Sequence, residues 1–80
     1  MYALMRRKEP IMANYIINKN RDEKGLNEVH TTVCPYRPNQ ANQDNLGYHP
    51  DEIAAVDYAK KHGYLNADGC YYCCPKAHHG

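Results

Sequence analysis

Eighty residues allow one domain at most, and ten basic against nine acidic side chains leave a formal charge of +1. That excludes a second core and any global field drawing the chain toward nucleic acid or an anionic membrane, so such binding must be local. No run approaches the roughly 18 apolar residues of a membrane span, and no membrane partner is expected.

Residues 1–11 form the first segment: mixed charge including Arg6, Arg7 and Lys8, then Pro10, with no secretory apolar stretch behind it. They read as a poorly ordered N-terminal extension, with Met12 a candidate start for a domain over residues 12–76 and a cytoplasmic location for the whole. Residues 14–18, Asn-Tyr-Ile-Ile-Asn, predict a short strand on their β-branched and aromatic content. Residues 19–27, with Gly25 near the end, predict a turn, and residues 28–33 the returning strand of a hairpin. From Cys34 to Asn45 two prolines and a run of Asn and Gln predict a surface loop. Leu46-Gly47-Tyr48 offers a short third strand.

A helix is expected from Pro50, with Asp51 and Glu52 at the positive end of its dipole, Ile53, Val56 and Ala59 at helical spacing, and Gly63 as the stop. Tyr64 and Leu65 are expected to return to the core, and Asp68-Gly69 to turn the chain into a second cysteine cluster. Residues 77–80 read as a C-terminal tail. The predicted fold is α+β: a small antiparallel sheet, hairpin plus short third strand, packed on one helix.

That core is thin. Phe and Trp are absent, eight Tyr only partly compensate, and large aliphatic side chains are few. Against about 1.5 kcal/mol of conformational entropy per ordered residue, folding is expected to need a staple.

The cysteines supply one. In a cytoplasmic chain four of them point to metal or thiol chemistry before a disulfide framework. His30-x-x-x-Cys34 and Cys70-x-x-Cys73 are two ligand pairs separated by the helix. Zinc takes four N and S donors tetrahedrally, and a C-x-x-C turn lets two thiolates reach one ion. The expected cofactor is one structural zinc held by His30, Cys34, Cys70 and Cys73. Cys74 and His78 remain alternative ligands, with Cys74 otherwise a free thiol beside the site and His78 and His79 a mobile tail. His49 and His62 are read as helix-start and helix-end residues. Pro75 directly after the cluster departs from a thioredoxin-like redox pattern.

The order His30-x-x-x-Cys34, Asn45-Leu46-Gly47-Tyr48, a helix with Ala54-Ala55-Val56 and Ala59-Lys60, then Gly63-Tyr64 and Gly69-Cys70-x-x-Cys73-x-Pro75 resembles the zinc-binding module of the Ada DNA-repair protein. It is similar also to small uncharacterised bacterial proteins ending in a Gly-Cys-Tyr-Tyr-Cys-Cys signature. The likeness spans residues 28–75. It implies the fold and the zinc. In the Ada module four cysteines bind the metal and the first accepts a methyl group from a DNA phosphotriester; the corresponding position here is His30, whose imidazole binds zinc but lacks the activated thiolate of that reaction.

Three functional expectations follow. The first is a non-catalytic zinc-binding module that presents a surface, including the polar loop from Pro35 to Asn45, to a protein partner. The second is nucleic-acid binding without methyl transfer, through Arg37, Lys60, Lys61 and Lys76 near Tyr36 and Tyr71, with Tyr64 and Tyr72 close in sequence. The third is a thiol-based redox or metal sensor using Cys74. No nucleophile triad, carboxylate pair or phosphate-cradling Gly-rich loop is recognisable, so neither an enzyme nor a small-molecule substrate is expected.

Overall fold

A computed structural model describes residues 13–80; the expected extension over residues 1–11 and Met12 lie outside them. The chain forms β1 (Ala13–Asn18), β2 (Asn27–Thr31), β3 (Gln43–His49), α1 (Glu52–Lys61) and β4 (Ala67–Gly69), with single 3₁₀ turns at Gln40–Asn42 and Pro75–Ala77. The class is α+β. No helix among the described residues is long and apolar enough to cross a membrane.

The sheet has four strands in the order β3-β1-β2-β4 and is mixed. β1 pairs antiparallel with β2, Ile16 opposite His30, and antiparallel with β3. β4 pairs parallel with β2, Val29 opposite Gly69. The expected all-antiparallel, three-stranded sheet is therefore corrected by one strand. Asp68 and Gly69 are both turn-formers and favour the expected turn, yet α1 carries the chain from the β3 edge to the opposite edge and sets Ala67–Gly69 beside β2. β3 also begins earlier than expected, at Gln43, because pairing with β1 overrides the weak strand propensity of its polar residues. Tyr15 faces Gly47 and Ile16 faces Asn45, so Leu46 is the extra residue of a β-bulge. Gly47 there takes φ +84°, and Leu46 is buried in the core.

α1 buries Glu52, Ala55, Val56 and Ala59, an i, i+3, i+4, i+7 stripe. Ile53, expected inside, is 56% exposed, and Leu65, expected to rejoin the core, is 77% exposed. The N-cap is Asp51, one residue after Pro50: its carboxylate accepts the Ala54 N–H at 2.7 Å. At the other end the Tyr64 N–H reaches the Ala59 carbonyl at 3.0 Å around Gly63 at φ +108°, a left-handed stop of the expected kind.

The core joins Tyr15 and Ile17 of β1, Val29 of β2 and Leu46 of β3 to Ala55, Val56 and Ala59 of α1, with Ala67, Cys74 and Ala77. Small alanines let the helix lie close to the sheet, but they supply little apolar area. The buried Glu52 carboxylate accepts the Lys76 N–H at 2.8 Å, tying the start of α1 to the segment after the cysteine cluster.

Candidate metal centre

The parallel pairing of β4 with β2 delivers the second ligand pair to the first. The Cys70 N–H donates to the Val29 carbonyl at 2.9 Å, so Cys70 continues the ladder beside His30. The chain then folds tightly: the Cys74 N–H returns to the Cys70 carbonyl at 2.9 Å. Gly69 permits this through space, not backbone freedom, since a Cβ there would lie 2.6 Å from the Cys74 carbonyl oxygen and 2.9 Å from Ala77. On the other side β2 ends at Thr31, and the Cys34 N–H turns back to the Thr31 carbonyl at 3.2 Å.

One donor atom from each of His30, Cys34, Cys70 and Cys73 lies within 4.8 Å of the others. With Zn–S near 2.3 Å and Zn–N near 2.05 Å, a tetrahedral site sets sulfurs about 3.8 Å apart and nitrogen about 3.6 Å from sulfur. His30 Nδ1 is 4.0 Å from Cys73 Sγ, and the widest separation exceeds the ideal by only about 1 Å. His30, Cys34 and Cys70 are buried and Cys73 is half-buried.

Each of the three sulfurs accepts a backbone amide at 3.4 Å: Cys34 from Tyr36, Cys70 from Tyr72 and Cys73 from Thr31. Such donors favour the thiolate, as metal-bound sulfur requires. The rest of the surroundings opposes it. Burial raises the Cys34 pKa and pushes that of Cys70 up to about 12. The bond with Cys74, then burial, raises that of Cys73. Burial lowers the His30 pKa to about 4, leaving a neutral imidazole at neutral pH. A cluster of this kind becomes three thiolates and a neutral ring only around a cation, so its residues fit a metal ion.

Cys74 lies outside the donor group. Its thiol is fully buried in the core, 3.6 Å from Cys73 Sγ, so solvent does not reach it as a free sensor thiol would require. His78, the other alternative ligand, is engaged elsewhere: Nδ1 donates to the Gly69 carbonyl at 2.9 Å and stands 3.4 Å from Asp68. Residues 77–80, read as a tail, are instead docked. Ala77 is buried, and Asp68 accepts the backbone N–H of His79 at 2.9 Å and of Gly80 at 3.1 Å. His49 and His62 bond to the carbonyls of Leu46 and Tyr58.

The residues expected at a nucleic-acid surface are divided. Tyr36 and Tyr72, each two positions past a ligand cysteine, stack with ring centroids 4.1 Å apart and planes at 20°. Tyr71 meets Tyr72 edge-on at 5.1 Å and His78 at 5.4 Å. Arg37 is exposed beside them, its Nη1 donating to the Cys34 carbonyl at 2.8 Å. Lys76 stands near the first turn of α1, whereas Lys60 and Lys61 occupy its last turn, about 13 Å further along the axis. Lys61 pairs there with Asp57 at 3.0 Å, and Tyr64 donates to Asp44 at 2.7 Å. Lys60 and Lys61 therefore do not join the aromatic group.

Sequence reasoning overlooked two features. A cleft of about 630 Å3 opens beside Cys34 and Cys73, between Val33, Pro35, Tyr48 and Tyr72. Glu28 lies with Oε1 3.5 Å from His30 Nε2; its i, i+2 spacing on a strand was the available signal. Comparisons of the chain with protein-family models, curated proteins and solved structures each found no match.

Proposed function

We infer that this chain is a small non-catalytic zinc-binding module, in which one structural ion held by His30, Cys34, Cys70 and Cys73 shapes a surface for a macromolecular partner in the cytoplasm. The observation that carries this is the convergence of one imidazole and three cysteine sulfurs within 4.8 Å, from segments far apart in the chain that the β2–β4 pairing brings together. An N-plus-three-S donor set suits zinc, a borderline-soft ion without geometric preference of its own. Bound there, zinc supplies a cross-link between the end of β2 and the segment after β4. The chain's own residues do the rest: amides of Thr31, Tyr36 and Tyr72 hold the sulfurs, and Cys74 packs behind Cys73. A relationship to the Ada zinc module belongs to this proposal and rests on the motif order; with His30 at the position of the methyl acceptor, methyl transfer is not part of it.

Elemental analysis of the purified chain tests the reading. Near-stoichiometric zinc is expected, reduced in His30→Ala and Cys70→Ser, and cobalt should give thiolate charge-transfer bands of a tetrahedral site. A wild-type chain that takes up neither metal overturns it.

The stacked Tyr36 and Tyr72, with Arg37 next to Tyr36 in the chain and Lys76 lining the same cleft as Tyr72, favour one second reading, a single-stranded nucleic acid whose bases stack on the rings. Gel-shift titrations over a salt series decide it: phosphate contacts weaken steeply with salt, and no binding at low salt removes this reading. A sensor working through Cys74 would require the core around that thiol to open, and burial counts against it.

A further inference from the structure

Resting on the metal reading above, we propose that Glu28 is a positioning residue for the ion: its carboxylate holds the His30 ring with the proton on Nε2 and the lone pair of Nδ1 turned to the cysteine sulfurs.

Glu28 and His30 are two apart on β2, so their side chains leave the same face of the strand while Val29 between them points into the core. The imidazole is bracketed. Nδ1 lies 4.0 Å from Cys73 Sγ, and Nε2 lies 3.5 Å from Glu28 Oε1. The ring is 2% exposed and the carboxylate 34% exposed, so the pair straddles the edge of the buried site with its ligand end inside.

A metal-binding imidazole is neutral and carries one proton on the nitrogen that does not bind the ion. A carboxylate only accepts, so it selects the tautomer whose N–H points at it. With Glu28 on the Nε2 side, that tautomer leaves Nδ1 as the donor, on the side where the sulfurs converge. Burial, then Asp22 of the β1–β2 turn and Asp68 of β4, disfavour the charge on Glu28, whereas His78 of the C-terminal residues and Lys24 of the turn favour it. Outer partners of this kind set ring orientation and ligand basicity, and their loss lowers metal affinity about 10- to 100-fold.

The test compares wild type, Glu28→Ala and Glu28→Gln in the metal-loaded chain. Zinc affinity is measured by chelator competition, and the His30 ring nitrogens are followed by long-range 1H–15N NMR. The wild type should show Nδ1 bound to metal and a protonated Nε2 in slow exchange with water. Glu28→Ala should lose about 10-fold or more in affinity and exchange that proton faster, whereas Glu28→Gln keeps an acceptor oxygen and should recover most of both. Nε2 as the bound nitrogen, or Glu28→Ala matching wild type in affinity and exchange, overturns the proposal. A wild type that binds no zinc sinks the metal reading instead, so the two failures are distinguishable.

Discussion

The helix–sheet core and the cysteine end of this molecule are held by different physics. In the first, Ile17, Val29 and Leu46 meet Ala55, Val56 and Ala59, and cohesion is nondirectional burial of a small apolar area. In the second, four polar donors, three of them buried and Cys73 half-buried, enclose a space suited to one ion, and cohesion is directional and conditional. Without a cation that end is a cluster of desolvated thiols and an imidazole; with one, it joins the ends of β2 and β4. The contrast teaches where stability can reside in a chain this short: the core defines the arrangement, and an ion in the His/Cys cluster would add the cross-link that a thin core lacks.

Removing the ion should break the comparison most severely. A strong chelator is expected to unfold the chain at 25 °C or lower its Tm by tens of degrees, since structural zinc contributes on the order of 10 kcal/mol to small domains. Far-UV circular dichroism against added chelator checks this; an unchanged Tm would place the stability in the core instead. Ile17→Ala, at a fully buried β1 position, should cost about 2–5 kcal/mol. Denaturant titration of the zinc-loaded variant should show it folded but weakened, and a loss no larger than a surface substitution would contradict the packing described.

Gly69→Ala probes the join between the two regions. Its Cβ would press on the Cys74 carbonyl and Ala77, displacing the cysteine turn from β4 at a cost of about 1–3 kcal/mol. The same variant should bind zinc more weakly, which separates this position from a core substitution.

The smallest effect lies far from the metal. Tyr64 donates to Asp44 at 2.7 Å, and that bond, more than burial, pushes its pKa up to about 12 from 10.0. A raised acid pKa in the folded state gives a contribution fully present below pH 10 and lost as pH rises toward 12. The stability difference between wild type and Tyr64→Phe, both zinc-loaded, should therefore shrink across that interval. A difference that stays flat from pH 9 to about pH 12 removes the Tyr64–Asp44 bond as its cause. The effect is small because Tyr64 is only partly buried.

The donor set was legible because metal chemistry constrains residue type and local spacing: His30 with Cys34 and Cys70 with Cys73 are each local pairs. The β1–β2 hairpin was legible from Ile16, Ile17, Val29 and Val33, whose branching suits strands, although Val33 proves to lie beyond the strand and exposed. The helix was legible in extent and, through Val56 and Ala59, in part of its buried side, whereas Ile53 proves exposed. Contact with the sheet completed the stripe with Glu52 and Ala55 in place of Ile53.

By itself, then, the amino-acid sequence determined what is local: a thin interior, a capped helix, a hairpin, and two ligand pairs of the right chemistry. Tertiary structure alone decided the parallel β2–β4 pairing, the bulge at Leu46, the burial of Cys74, the docking of residues 77–80 and the Tyr36–Tyr72 stack. Each of these joins residues distant in the chain, and no propensity or spacing encodes such a contact until burial and backbone pairing have been satisfied together.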